Sequence, residues 1–277
     1  MRETTANDAV VLGDAIARWH PEPFRGIDAA EFEASVRETA KRIASLDRSG
    51  TIVELMRLGA LLGDRNGHTG ILPHDEQPDP LHFYPLVPYE FGDGIFVVAA
   101  ASRHLTGLEL RAVEGVPADE LLPALAPLVS RDNNWTVRAR RPLFLVTAEI
   151  LHGLGIVDAI GPVRFDLRGS GGPVRIELEP RPRGSIPSSL TGLPRREAPA
   201  YLTRRDETRW VTLLRDGRAA YVAYNMTRGD LSDFAAEVAA LATRPLVGLV
   251  VLDLRLNSGG DNRTYGPPPG CSRARDA

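Results

Sequence analysis

Apolar positions in the first 75 residues recur at helical intervals. Phe32, Val36, Ile43 and Leu46 share one face behind a D-x-x-E start at Asp28 and Glu31. Leu55, Leu58 and Leu62 follow at i, i+3, i+7 behind Thr51 and Glu54, a T-x-x-E capping box. Gly63 is placed to stop that helix, because glycine takes the left-handed conformation at a helix end without steric cost. An earlier helix is predicted from Asp8 to Trp19, ending before Pro21. Residues 1–75 therefore read as helical hairpins.

From about Pro78 the pattern changes to short β runs. GIFVVAA (Gly94 to Ala100) and GLELRAV (Gly107 to Val113) precede an EGVP turn, and Pro117 suits the first position of a helix reaching about Leu128. Two alternating runs, Val163 to Leu167 and Val174 to Leu178, flank a glycine-rich hairpin connection. Strands around one short helix predict a β-rich module over 76–180. The stretch 181–199, rich in proline, serine and arginine, reads as a linker.

The third part, 200–266, opens with WVTLL and AAYVAYN joined across Asp216-Gly217, a tight-hairpin signal. A helix from about Asp230 to Thr243 carries Phe234, Val238 and Leu241 on one face. Leu246 to Leu254 is almost continuously apolar, the pattern of a strand buried on both faces of a parallel sheet. Strand, helix and buried strand make a βαβ crossover. Its glycine turn lies at the carboxyl end, where open α/β sheets place ligands. Three successive prolines, Pro267 to Pro269, then disfavour a further helix, and 267–277 reads as an aberrant tail. The sheet is expected to be unfinished, with an open apolar edge that predicts self-association.

Composition narrows the classes. A chain of 277 residues with 43% hydrophobic and 25% charged residues is ordinary for a soluble globular protein, of about two domains at roughly 150 residues each. A net charge of -3 offers no counterion-release term for nucleic-acid binding. One cysteine, Cys271, excludes an internal disulfide framework and a cysteine-built zinc site. The histidines His20, His74, His82, His104 and His152 show no H-E-x-x-H or comparable ligand spacing, so neither metal nor cofactor is expected. No apolar run approaches the roughly 18 residues of a membrane helix. The start MRETTANDAVV lacks an apolar h-region, so no signal peptide is visible and a cytoplasmic location is the default. Lys41 is the sole lysine, so any lysine base must be that residue.

The stretch VVLDLRLNSGGDN (Val250 to Asn262) resembles the strand-and-turn signature of the tail-specific, or C-terminal-processing, serine peptidases, including their tricorn-type members. Two other passages fall where that family has counterparts. LGDRNGHTGIL (Leu62 to Leu72) is similar to its helix-ending D-x-H-T element, and GLELRAVEGVPADELL to a PDZ-type segment. The resemblance reaches nearly to Gly266. It implies an α+β multidomain fold: a helical N-terminal region, a PDZ-like peptide-binding module and a crotonase-like α/β core. It also implies a polypeptide substrate or peptide tail as partner, an oxyanion role for Gly259 and Gly260, and a general-base role for His68. Read from the residues alone, the glycines serve equally well to turn the chain sharply. His68 alone reads as a solvated loop histidine, although its near-neutral unperturbed pKa suits a base.

Asp253, Arg255 and Asn257 are expected to fix the turn by hydrogen bonding. Ser258 lacks a G-x-S-x-G elbow and sits where the resemblance puts the oxyanion turn. The family nucleophile is a serine on a later strand-to-helix turn, and the seventeen residues after Gly260 do not resemble that segment. Lys41, in an N-terminal helix, does not replace the lysine base of the processing branch. The expectation is a serine peptidase chain cut short, either genuinely or by a shifted reading frame near Gly266, and inactive as written. The alternative is a non-catalytic peptide-binding protein that uses the PDZ-like module. A third reading, an acyl-thioester enzyme on a crotonase-like core, leaves the other parts unexplained.

Overall fold

In the computed structural model, which describes residues 7–63, 69–71, 80–182 and 198–261, the N-terminal sequence forms three helices. These are α1 (Asn7–Trp19), α2 (Ala29–Ile43) and α3 (Arg48–Ala60). Asp28 caps α2 as its spacing predicts, its Oδ1 accepting from the N–H of Ala30 at 2.9 Å and of Glu31 at 3.2 Å. The start of α3 differs from the expected box at Thr51. Asp47 caps it one turn earlier, accepting from the Gly50 N–H at 2.8 Å. Thr51 is then buried inside the helix, and Glu54 accepts from Arg42 Nε at 2.6 Å and Arg57 Nη1 at 2.7 Å instead of capping. An aspartate just before the helix outcompetes a threonine within it, since only the former sits outside helical dihedrals. The chain leaves α3 at Gly63, with φ +73°.

The helix α3 faces two ways. Leu58 and Leu62 join Ala9, Ile16, Phe32 and Ile43 between the helices. Val53 and Met56, on the other face, enter the larger core beneath an antiparallel sheet. That sheet runs β2 (Leu86–Glu90), β3 (Ile95–Ala100), β4 (Glu109–Val113), β6 (Val163–Gly169), β7 (Gly172–Leu178), and β5 (Val116–Pro117) pairs with β4. A separate two-residue ladder joins β1 (His82–Phe83) to β8 (Arg181–Pro182). The strands at 94–113 and the hairpin at 163–178 fall where the alternation puts them. Pro117 sits at the N-cap of α4 (Ala118–Leu125), one position before the expected one.

Two further helices cover the sheet, α5 (Asn134–Phe144) and α6 (Ala148–Gly153), where only one helix was expected in the module. Asn133 caps α5, accepting from Trp135 N–H at 2.8 Å. Its interior carries three arginines and Pro142, which mask its apolar face in the sequence; α6 is too short to show a period. Both are held by burial of Val137, Phe144, Ile150 and Leu151. Glu149 of α6 is fully buried and ties the entry to the sheet, accepting from the His82 N–H at 2.9 Å and lying 2.7 Å from His82 Nδ1.

The chain divides into two compact units, Met1–Gly192 and Leu193–Ala277. The second contains α7 (Ala200–Thr203), β9 (Arg209–Leu214), β10 (Ala219–Tyr224), α8 (Ser232–Ala242) and β11 (Leu249–Asp253). β9 and β10 form the antiparallel hairpin expected at Asp216-Gly217. α8 carries the chain across to β11, which pairs with β10 in parallel from Ala219↔Leu249 to Ala223↔Asp253. Phe234 of α8 stacks on Tyr224 with ring centroids 6.0 Å apart. The strand order β11-β10-β9 puts β10 in the middle, and Ala219 to Ala223 are all buried. β11 is an edge. The expectation of a strand buried on both faces is not met: Leu252 is 61% exposed and Leu249 and Val250 are nearly half exposed. The pattern reports what the strand is fit for; burial also requires a neighbour on each side.

Candidate active-site turn

The parallel pair β10 and β11 brings two chain segments side by side at their carboxyl ends, 224–227 and 253–261. Asp253 starts the second segment and is buried, 6% exposed. Tyr221 donates its hydroxyl to Asp253 Oδ2 at 2.6 Å, and the Arg255 N–H donates to Oδ1 at 3.0 Å. The Arg255 guanidinium closes on both carboxylate oxygens and lies 3.9 Å above the Tyr201 ring. Hydrogen bonds from Arg255 hold the Asp253 carboxyl well below the usual carboxylate range, and the same pairing raises Arg255. Burial first, then the bond to Asp253, pushes the Tyr221 hydroxyl up to about 12. Asp253 is therefore a permanent anion tied to its own turn, not a proton acceptor.

Asn257 makes the bend. Its N–H donates to Leu254 O at 2.9 Å, its Nδ2 to Tyr224 O at 2.8 Å, and its Oδ1 accepts from the Gly259 N–H at 2.9 Å. The Ser258 N–H donates to Asn225 O at 3.0 Å, and its Oγ lies 3.5 Å from the same carbonyl. A one-residue parallel bridge then joins Thr227 to Gly260. It consists of Thr227 N–H to Gly259 O at 2.8 Å and Asp261 N–H to Thr227 O at 3.0 Å. Gly259 has φ +85° and Gly260 φ +140°, a course that a side chain would resist. The bridge uses neither the Gly260 N–H nor its carbonyl, and that N–H has no hydrogen-bond partner among the described residues.

The two glycine amides are thus unequal: the Gly260 N–H is open, whereas the Gly259 N–H is occupied by Asn257. Asp253, Arg255 and Asn257 all act on the turn, as their spacing suggests. Ser258 meets no basic side chain among its hydrogen-bond partners. Lys41 is far from this chemistry in sequence and pairs with Glu38 at 2.6 Å on α2. His68 and the tail 267–277 lie outside the described residues, as do 183–197 of the linker. Tyr221, Asn225 and Thr227 look in the sequence like plain strand and strand end. The polar Asn225 and Thr227 just after an apolar run, and the hydroxyl of Tyr221 within it, are the signal that marks them.

A helical region, an antiparallel sheet covered by helices and a β-hairpin continued by a parallel crossover define a mixed helix-and-sheet fold. No protein-family model and no curated protein matches the sequence. Among solved structures, the crystal structure of mature CPAF aligns over 93% of this chain and 56% of its own, at TM-score 0.57 and 16% identity. A CPAF mutant with serine replaced by alanine aligns over 93% and 57%, at TM-score 0.55 and 15% identity. The photosystem II D1 C-terminal processing protease aligns over 95% and 64% with 16% identity, but at TM-score 0.32. The chain spans a little over half the length of the CPAF structures, with which it shares a fold.

Proposed function

We propose that this chain is part of a serine-type peptidase of the tail-specific family and carries the oxyanion side of its catalytic site. The observation that supports this most is the glycine turn at 259–260, at the carboxyl end of a parallel strand, in a chain whose fold aligns with CPAF over 93% of its length. In this reading 76–180 is the PDZ-like module, holding a peptide tail by strand addition, and 200–266 is part of a crotonase-like core. The reaction needs a nucleophilic serine, a role assigned to none of the residues described above. The serine Oγ attacks the scissile carbonyl carbon; His68 takes the hydroxyl proton and returns it to the leaving amine. The carbonyl oxygen, as it becomes an anion, accepts from the Gly260 N–H, and from Gly259 once the Asn257 carboxamide lets go.

The second reading is a non-catalytic peptide-binding protein. It is favoured by one feature, the Gly259 N–H already satisfied by Asn257. Two measurements decide between them. A fluorophosphonate probe is expected to leave the 277-residue chain unlabelled, and stoichiometric labelling of one of its serines would overturn that expectation. The coding DNA past codon 266 is expected to hold, in another frame, a serine on a strand-to-helix turn; frames without one favour the binding protein.

A further inference from the structure

In the first unit, away from the glycine turn, the tip of the β2–β3 hairpin and the start of α4 enclose a cleft of about 570 Å³. Ile95, Leu110 and Leu122 give its lining an apolar part. Phe91 makes one wall. Its ring packs on Tyr89 at 4.7 Å and Phe96 at 5.8 Å between centroids, and both Phe91 and Tyr89 are more than two-fifths exposed. The aromatic strip continues through Arg138, which donates to the Phe91 carbonyl at 2.8 Å and lies 5.1 Å over the ring of the exposed Trp135. Large exposed aromatics in one contiguous strip are uncommon on a surface that meets only water.

The charges at the cleft are not self-cancelling. Arg111 is committed to Glu109 at 2.8 Å, and Glu90 is held by Arg141 Nε and Nη2 at 2.6 Å and by Arg138 Nε at 3.3 Å. Asp93 and Asp119, at the rim, form no hydrogen bond or ion pair among the described residues, although Asp119 contributes to the field at Arg111. The apolar part of the lining suits an aliphatic stem, the Phe91 ring attracts a cation, and two uncommitted carboxylates complement its charge. We infer that this cleft binds a polypeptide segment through an arginine or lysine side chain, whose flanking residues lie along the Tyr89–Phe91–Trp135 strip. A polypeptide rather than a small cation is indicated because the strip extends beyond the cleft that one side chain would fill.

The inference does not depend on catalysis, so it is tested by binding alone. The full chain is titrated against a fluorescent, end-blocked pentapeptide with arginine between leucine and phenylalanine, and against the same peptide with citrulline for arginine. Fluorescence anisotropy is expected to show the arginine peptide binding about tenfold tighter or more, as for the loss of a charged hydrogen bond. Affinity should fall as salt rises. Asp119→Asn and Asp93→Asn should each weaken the arginine peptide several-fold and leave the citrulline peptide unchanged. Asp166→Asn, at the β6–β7 hairpin, should change neither. Should Asp93→Asn disturb its turn, as seen by a lowered melting temperature, Asp119→Asn alone decides. Equal binding of the two peptides, or full affinity in Asp119→Asn, would overturn the inference. So would arginine amide binding as tightly as the peptide, which would make this a small-cation site. Whether the fluorophosphonate labels the chain has no bearing on these outcomes.

Discussion

Gly259 and Gly260 are neighbours with different constraints. A Cβ on Gly259 would meet open space, so the cost of Gly259→Ala is the positive φ alone, about 1–2 kcal/mol. A Cβ on Gly260 would overlap the Thr227 carbonyl, which is already fixed by the Asp261 N–H, so Gly260→Ala must break the bridge and cost about 3 kcal/mol. Urea unfolding should rank the variants in that order; equal losses would mean that the bridge does not hold the turn. Asp253 sets the pH response of the same segment. Its folded pKa is depressed, so its contribution is present above the unfolded value of about 4 and is lost as pH falls below it. Tyr221 is raised to about 12, so its contribution is present up to the unfolded value of about 10 and is lost between about pH 10 and 12. Asp253→Asn should cost about 1–2 kcal/mol at pH 7, a range kept modest by the exposure of Arg255, and should flatten the acid limb of the urea midpoint. An unchanged acid limb would show that the pair contributes nothing.

At the scale of elements, β11 is the exposed case. Among the described residues it has a strand on one side only, and α8 packs over β9 and β10. Its free edge and the uncovered Leu249, Val250 and Leu252, with Leu246 71% exposed beside them, form a template for pairing with other chains. Leaving about 200 Å² of apolar surface wet forgoes about 5 kcal/mol, comparable with the whole stability of a small domain. Segment-resolved hydrogen exchange should find the amides of Val247 to Asp253 less protected than those of β4 and β6. Leu252→Lys should leave stability within about 0.5 kcal/mol and reduce light scattering at high concentration. Slow exchange at β11 in a monomeric sample would show the edge to be covered.

At the scale of the whole molecule, the sheet of the first unit shares its core with α3. A fragment beginning at Leu81 removes Val53 and Met56 from beneath the sheet, whereas one ending at Pro182 keeps them. Residues 1–182 expressed alone should therefore unfold cooperatively, and 81–182 should melt lower or without cooperativity. Equal melting of the two fragments would mean that α3 adds nothing to the sheet's stability.

Much of the fold was fixed by local chemistry and is legible in the residues. Asp28 caps α2, Gly63 ends α3, the alternation at 163–178 makes a hairpin, and the apolar β10–α8–β11 sequence makes a crossover. The motif D-L-R-x-N-x-G-G also carries two of its own hydrogen-bonded pairs, Asp253 with Arg255 and Asn257 with Gly259, each two residues apart. Other features depend on partners distant in sequence. The helix α5 is held by burial against α4 and against β2, a strand remote from it in the chain. Tyr221 acquires its role only when the parallel register sets it across from Val251 and within reach of Asp253. The Gly259 amide is closed locally by Asn257, whereas the pairing with Thr227 leaves the Gly260 amide without a partner among the described residues. An apolar run such as Leu246 to Leu254 specifies that a strand can be buried; whether it is buried depends on which strands and helices lie beside it, and only the tertiary structure settles that.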